Sequence, residues 1–257
     1  MEIQKQFVAL ETIVVKEVRR FSRIWVQTLL PPAITVALYF VIFGNLVGSR
    51  IGDMGGFDYM KFIVPGLIMM SVITNSYSNV VSSFFSTKFQ RSIEELLVSP
   101  TPNHVILIGY VLGGVARGLS VGFIVTCMSL AFAELHIHNW LVMISIVFLT
   151  AVVFSLAGFI NAVFAKSFDD ISIVPTFILT PLTYLGGIFY SLKMLPEFWY
   201  NVSLANPIVY MVNGFRYGIL GVTDVSLWLT YGMIFLFIVV FYSWALFLLN
   251  RGAGIRS

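Results

Sequence analysis

Charge is what this sequence has least of. Of 257 residues, 11% are Asp, Glu, Lys or Arg and 58% are apolar, with a mean hydropathy of +0.93. Soluble domains carry about 25% charged residues. So few charges cannot clothe a water-soluble globule of this size, and lipid must solvate much of the surface. Cysteine is almost missing too. The single Cys127 excludes a disulfide framework within the chain, and its apolar neighbours in 122–130 predict a buried, inert thiol. A GxxxxGK[ST] phosphate loop is absent, as is any Gly-Lys dipeptide, so the chain does not bind ATP in that way. HExxH and CxxC are absent, and His136 and His138 are expected to be solvated in a short turn rather than to hold a metal. No metal or cofactor is expected on this chain, and a net charge of +3 is too small to suggest a nucleic-acid partner. No signal peptide opens it, so the first apolar segment is expected to act as its own insertion signal.

What the sequence does have is long apolar runs. A helix needs about 20 mainly apolar residues to cross roughly 30 Å of hydrocarbon. Segments 24–49, 62–87, 105–133, 139–165, 171–192 and 225–250 meet that length, and the only charge among them is Arg117. An all-α, polytopic membrane domain with six transmembrane helices is predicted over 1–257. Lys and Arg set its orientation. With both termini cytoplasmic, the inner segments hold Lys5, Lys16, Arg19, Arg20, Arg23, Lys88, Arg91, Lys166, Arg251 and Arg256, against Arg50, Lys61, Lys193 and Arg216 outside. Arg117, near the middle of its span, is expected to snorkel, to pair inside the bundle or to face a substrate path. Gly109, Gly113, Gly114, Gly118 and Gly122 around it allow close helix contact.

Three segments are not spans. Residues 1–23 place Phe7, Leu10, Val14, Val18 and Phe21 at helical spacing beside a basic face, predicting an amphipathic helix on the inner surface or a solvated extension of the first span. The loop 88–103 puts Ile93, Leu96 and Leu97 at i, i+3 and i+4 beside Glu94 and Glu95, before Pro100 and Pro102 stop the chain. That predicts a short helix with an apolar face, either flat on the headgroups or inserted into a cytoplasmic partner. Residues 193–224 are rich in aromatics with Gly and Pro breaks, predicting two short re-entrant helices before the last span. Asp169 and Asp170 are expected to cap a helix.

The stretches KFQRSIEELLVSPTPNHVILIGY and NPIVYMVNGFRYGILG resemble the loop before the third span and the motif before the last span of ABC-2 type transporter permeases. The resemblance extends to RIWVQTLLPPAITVALYFVIFGNLVGSRIG and FDDISIVPTFILTPLTYLGGIFYSL. It implies a permease in the bacterial inner membrane that pairs with a second copy of itself and binds an ABC ATPase subunit, which holds the ATP and Mg. The loop helix would couple to that ATPase through Arg91, Ile93, Glu94, Glu95, Leu96 and Leu97. Asn206, Pro207 and Arg216 would belong to an outer gate, and Tyr39, Phe40, Phe43, Tyr184 and Tyr190 to the translocation path. An amphipathic or lipid-linked cargo fits a path with few charges. The alternative is an ATP-independent carrier or channel. It would need acids within the spans and an inverted repeat, and the sequence displays neither.

Overall fold

A computed structural model describes residues 3–252, with the side chains of 45–47, 49 and 97 outside that description. Arg256 therefore lies outside the described residues. The chain is 80% helical. Among the described residues, four helices are long and apolar enough to cross a membrane: Trp25–Gly44, Asn103–Ser129, Trp140–Phe164 and Leu227–Arg251.

The N-terminal helix α1 (Ile3–Arg23) is amphipathic as predicted, but the face it buries is rotated from the predicted one and shares Phe21 with it. Ile13, Glu17 and Phe21, spaced i, i+4 and i+8, turn inward, whereas Phe7 is exposed. The first span is broken into pieces: α2 (Trp25–Thr28), α3 (Leu30–Tyr39), a π-helical stretch Phe40–Val47, and α4 (Gly48–Ile51). Pro31 and Pro32 sit in the first turn of α3, where a missing N–H costs no intrahelical bond.

A two-residue hairpin then appears in the otherwise helical chain. Strands β1 (Asp53–Met54) and β2 (Phe57–Asp58) pair antiparallel around Gly55 and Gly56, whose φ values of 62° and 83° suit the tight turn. Asp58 closes the hairpin and caps the next helix, its Oδ1 accepting from the Met60 N–H at 2.8 Å. That helix, α5 (Tyr59–Phe89), is 31 residues long and the most buried in the bundle. It packs against α7 (Asn103–Ser129) and α8 (Trp140–Phe164), with the short α6 (Ser92–Val98) between α5 and α7.

The predicted fifth span is shorter than expected. Helix runs through α9 (Asp170–Val174), a π-helical Pro175–Leu179 and α10 (Thr180–Tyr184), and then stops. Gly186 and Gly187 follow, the latter with φ 71°, and the chain becomes irregular. Two short helices come next as predicted, α11 (Glu197–Leu204) and α12 (Pro207–Leu220). Helix α12 is a wedge packed against α5, α8 and the final helix α13 (Leu227–Arg251).

Candidate functional site

Four groups of residues carry the chemistry of this chain. The first is the α6 loop. Arg91 sits between α5 and α6 with φ 60°, a left-handed conformation that costs a non-glycine residue about 1–2 kcal/mol. Ile93 is 1% exposed and packs into the bundle, and Leu96 also leans on the core. The apolar face predicted to project outward is thus turned largely inward, because α5 and its neighbours offer the nearest dry surface. Arg91, Glu94 and Glu95 are exposed, and Val98 is 87% exposed. The Leu97 side chain lies outside the described residues. The root of this loop is tied to α8: Lys88 Nζ donates to the carbonyl oxygens of Val163 and Ala165, at 2.7 Å each.

The second group is aromatic. Tyr39 and Tyr184 share a hydrogen bond between their hydroxyls at 2.6 Å, joining the first span to the end of α10. Phe43 stacks on Phe189 at 4.8 Å, and Phe189 in turn lies 5.8 Å from Tyr39 and 6.0 Å from Tyr184. Three of the five predicted path residues therefore meet, and Phe189 joins them. Phe40 points elsewhere, fully buried beside Phe132. Tyr190 turns back to donate to the Leu185 carbonyl at 3.0 Å.

The third group knots α12 to the irregular chain before it. Asn206 caps the helix, Oδ1 accepting from the Ile208 N–H at 3.0 Å, while its Nδ2 donates to the Leu182 carbonyl at 2.7 Å. Pro207 takes the first helical position. Arg216, 1% exposed, donates from Nη2 to the Gly187 carbonyl at 2.6 Å and lies over the Phe62 ring at 4.0 Å. Asn206 thus ties α12 to α10, Arg216 ties it to the irregular chain that follows α10, and Pro207 opens the helix.

The fourth group was not anticipated. Glu17 of α1 is completely buried. Its Oε1 accepts from Ser83 Oγ at 2.7 Å and lies 3.3 Å from Lys16 Nζ, and Oε2 accepts from Arg20 Nε at 3.3 Å. Arg20 continues to Asn79, donating from Nη2 to Oδ1 at 2.7 Å and to the backbone carbonyl at 3.0 Å. Lys16 donates to the Tyr110 hydroxyl at 3.2 Å. Burial pushes the Lys16 ammonium toward neutrality, but Tyr110 and Glu17 outweigh it and leave the pKa raised. Close approach is possible because α7 has no side chains there. A Cβ on Gly113 would lie 2.5 Å from the Glu17 Cβ, and one on Gly109 would lie 2.6 Å from Ile13. Two turns along, Arg117 donates to Asn75 Oδ1 at 3.2 Å, a pairing inside the bundle.

Several single-residue expectations change. Cys127 is exposed, not buried: in a lipid-solvated protein, apolar neighbours in sequence mark the outer face as readily as the core. Asp169 makes no capping bond, and Asp170 instead accepts the backbone N–H groups of Lys166 and Ser167 at 2.8 and 3.1 Å. Residues 118–122, GLSVG, have GxSxG spacing, but Ser120 donates to the Ala116 carbonyl in mid-helix, without the strand–turn–helix setting of a nucleophile elbow. Among the described residues no group of three His, Cys, Asp or Glu could hold a metal.

The sequence that builds this loop and its flanking helices has known relatives. The sequence pattern of the ABC-2 type transporter family matches residues 8–220. The chain belongs to the ABC-2 type transporter family. It is 65% identical over 251 residues to the inner membrane transport permease YadH of Escherichia coli K12, covering 98% of each chain. More distant similarity links it to nodulation protein J of Rhizobium leguminosarum bv. viciae, 22% identical with 79% of each chain covered, and of Neorhizobium galegae, 23% identical with 83% and 82% covered. As an ABC-2 transport permease with several membrane-crossing helices, it is a multi-pass protein of the inner membrane and a membrane subunit of an ABC transporter.

Proposed function

We propose that this ABC-2 chain is the permease half of an exporter, a homodimer driven by two copies of a separate ABC ATPase. Six crossings, with both termini cytoplasmic, follow if α5 and the 170–184 run supply the two beyond the four long apolar helices. The observation that carries this reading is the α6 loop. It presents two carboxylates, an arginine and Val98 to solvent, at the junction of the two helices that form the buried centre of the bundle. A push there is delivered to α5 and α7 directly, the rigid-body transmission an ATP-driven permease needs.

The aromatic cluster of Tyr39, Phe43, Tyr184 and Phe189 supports a route along the first and fifth spans. Rings with occasional hydroxyls suit an amphipathic or lipid-linked cargo. The lack of a GxxxxGK[ST] phosphate loop supports placing ATP and Mg on the partner.

The test is co-purification with the ATPase in detergent. Reversing Glu94 and Glu95 to Lys and replacing Val98 with Asp changes only exposed side chains, so insertion and monodispersity should persist while the ATPase is lost. Retention of the ATPase by this triple variant would remove α6 as the coupling element. Transport against a gradient by the permease alone in liposomes would overturn the whole proposal.

A further inference from the structure

At the end of the bundle opposite α6, an apolar groove of about 380 Å³ opens on the lipid-facing side between α7, α8 and α12. Its walls include Phe123, Cys127 and Leu130 of α7, Trp140 and Met143 of α8, and Phe215 of α12. From Leu119 to Leu130, the residue that caps α7, the groove spans 11 residue steps, about 16 Å at the helical rise of 1.5 Å. That is about half of a 30 Å hydrocarbon layer, the depth of one leaflet.

The groove does not end in bare water. Ile137 and Ile219 line it and also line a second cavity of about 240 Å³ immediately beyond, which holds Lys61, Glu134, His136 and His138. Lys61 and Glu134 make no hydrogen bond or ion pair with any described residue. The turn between the two cavities is held in shape by α12: the backbone N–H groups of His138 and Asn139 donate to the carbonyls of Ile219 and Gly218 at 3.1 and 2.8 Å. An apolar slot one leaflet deep thus runs into a fixed pocket with one unpaired cation and one unpaired anion. Trp140 stands exposed at the groove wall, a residue that favours the headgroup level.

We propose that this composite cavity binds a glycerophospholipid with a primary-amine headgroup. One acyl chain lies along Phe123, Cys127 and Leu130, the phosphate meets Lys61, and the ammonium meets Glu134. The two charges of the pocket match the two charges of such a headgroup, whereas an anionic lipid would leave Glu134 opposed and a detergent tail would use neither. This site stands apart from the α6 loop and does not depend on how the transporter is driven.

Cys127 is the chain's single thiol and lies in the groove, so the unmodified protein reports occupancy. In nanodiscs, alkylation of Cys127 by a benzyl maleimide should be about tenfold slower in phosphatidylethanolamine than in phosphatidylcholine, the ratio expected when one charge-assisted contact distinguishes two ligands. Glu134→Ala should abolish that difference. A trace phosphatidylethanolamine carrying a diazirine near its acyl terminus should crosslink to groove residues, and Cys127→Trp should remove that product while leaving labelling of α13 unchanged. Equal alkylation rates in the two lipids would overturn the proposal. So would crosslinks spread evenly around the bundle, or groove labelling that ignores Cys127→Trp.

Discussion

Helix α7 and the first span are apolar to nearly the same degree, yet they live in different surroundings. Of the most apolar window, 67% is buried in Asn103–Ser129 and 22% in Trp25–Gly44. Hydropathy does not make that difference; what the side chains allow to approach does. In α7 the glycines let α1 and α5 come into contact, and polar groups then find partners: Tyr110 with Lys16 and Thr87, Arg117 with Asn75. The first span has bulky aliphatics facing outward, a π-helical stretch instead of a continuous α-helix, and one tyrosine pair across to α10. The 170–184 run shares its irregularity, with a π-helical turn at Pro175–Leu179. One region is locked by shape and charge, and the other is held by a few edge contacts.

The contrast can be broken most forcefully at Arg20. Arg20→Ala leaves the buried Glu17 carboxylate with the Ser83 hydroxyl and, as its one cation, a half-exposed lysine, and the loss should be about 3 kcal/mol of stability, measured by thermal unfolding in detergent. Adding Glu17→Gln to that variant should recover part of the loss, since the uncompensated charge disappears. No change in Tm for Arg20→Ala would show that charge does not hold α1. Gly113→Ala should come next, at about 2 kcal/mol, because its Cβ would crowd Glu17 and the overpacked helices must separate. Faster proteolysis within α1 would report it.

Tyr39→Phe removes a hydrogen bond between part-exposed side chains and should cost less than about 1 kcal/mol, with any larger effect confined to transport. If it destabilises as much as Gly113→Ala, the two regions do not differ as described. The smallest effect is expected at Asp170. The backbone N–H of Lys166, followed by Ser167, holds this exposed carboxyl below its ordinary 3.8. Because the folded pKa is the lower one, its contribution is present above 3.8 and fades as pH falls through the folded value. Amide exchange at Lys166 and Ser167 should quicken only below that pH, and Asp170→Asn should remove the dependence.

The apolar runs were legible because a bilayer demands them, and α7, α8 and α13 fall within a few residues of their predicted spans. The short helix after Arg91 was legible because Ile93, Leu96 and Leu97 fall at helical spacing and Pro100 and Pro102 end it. Other features depend on information that periodicity does not carry. A glutamate among Lys16, Arg19 and Arg20 belongs to a polar face by pattern; only the bare backbone of Gly109 and Gly113 on another helix turns it inward. Helix α10 stops at Tyr184 because Gly186 and Gly187 release the chain, although composition stays apolar for several residues more. Phe189, outside any helix, joins the Tyr39–Tyr184 pair through that release, and no sequence pattern marks it.

Lys88 bears on how a load would spread. Its ammonium clasps the last carbonyls of α8 from the foot of α5, close to the left-handed Arg91. A force applied at the loop would therefore be shared from its first ångström by two masts stepped in the same socket.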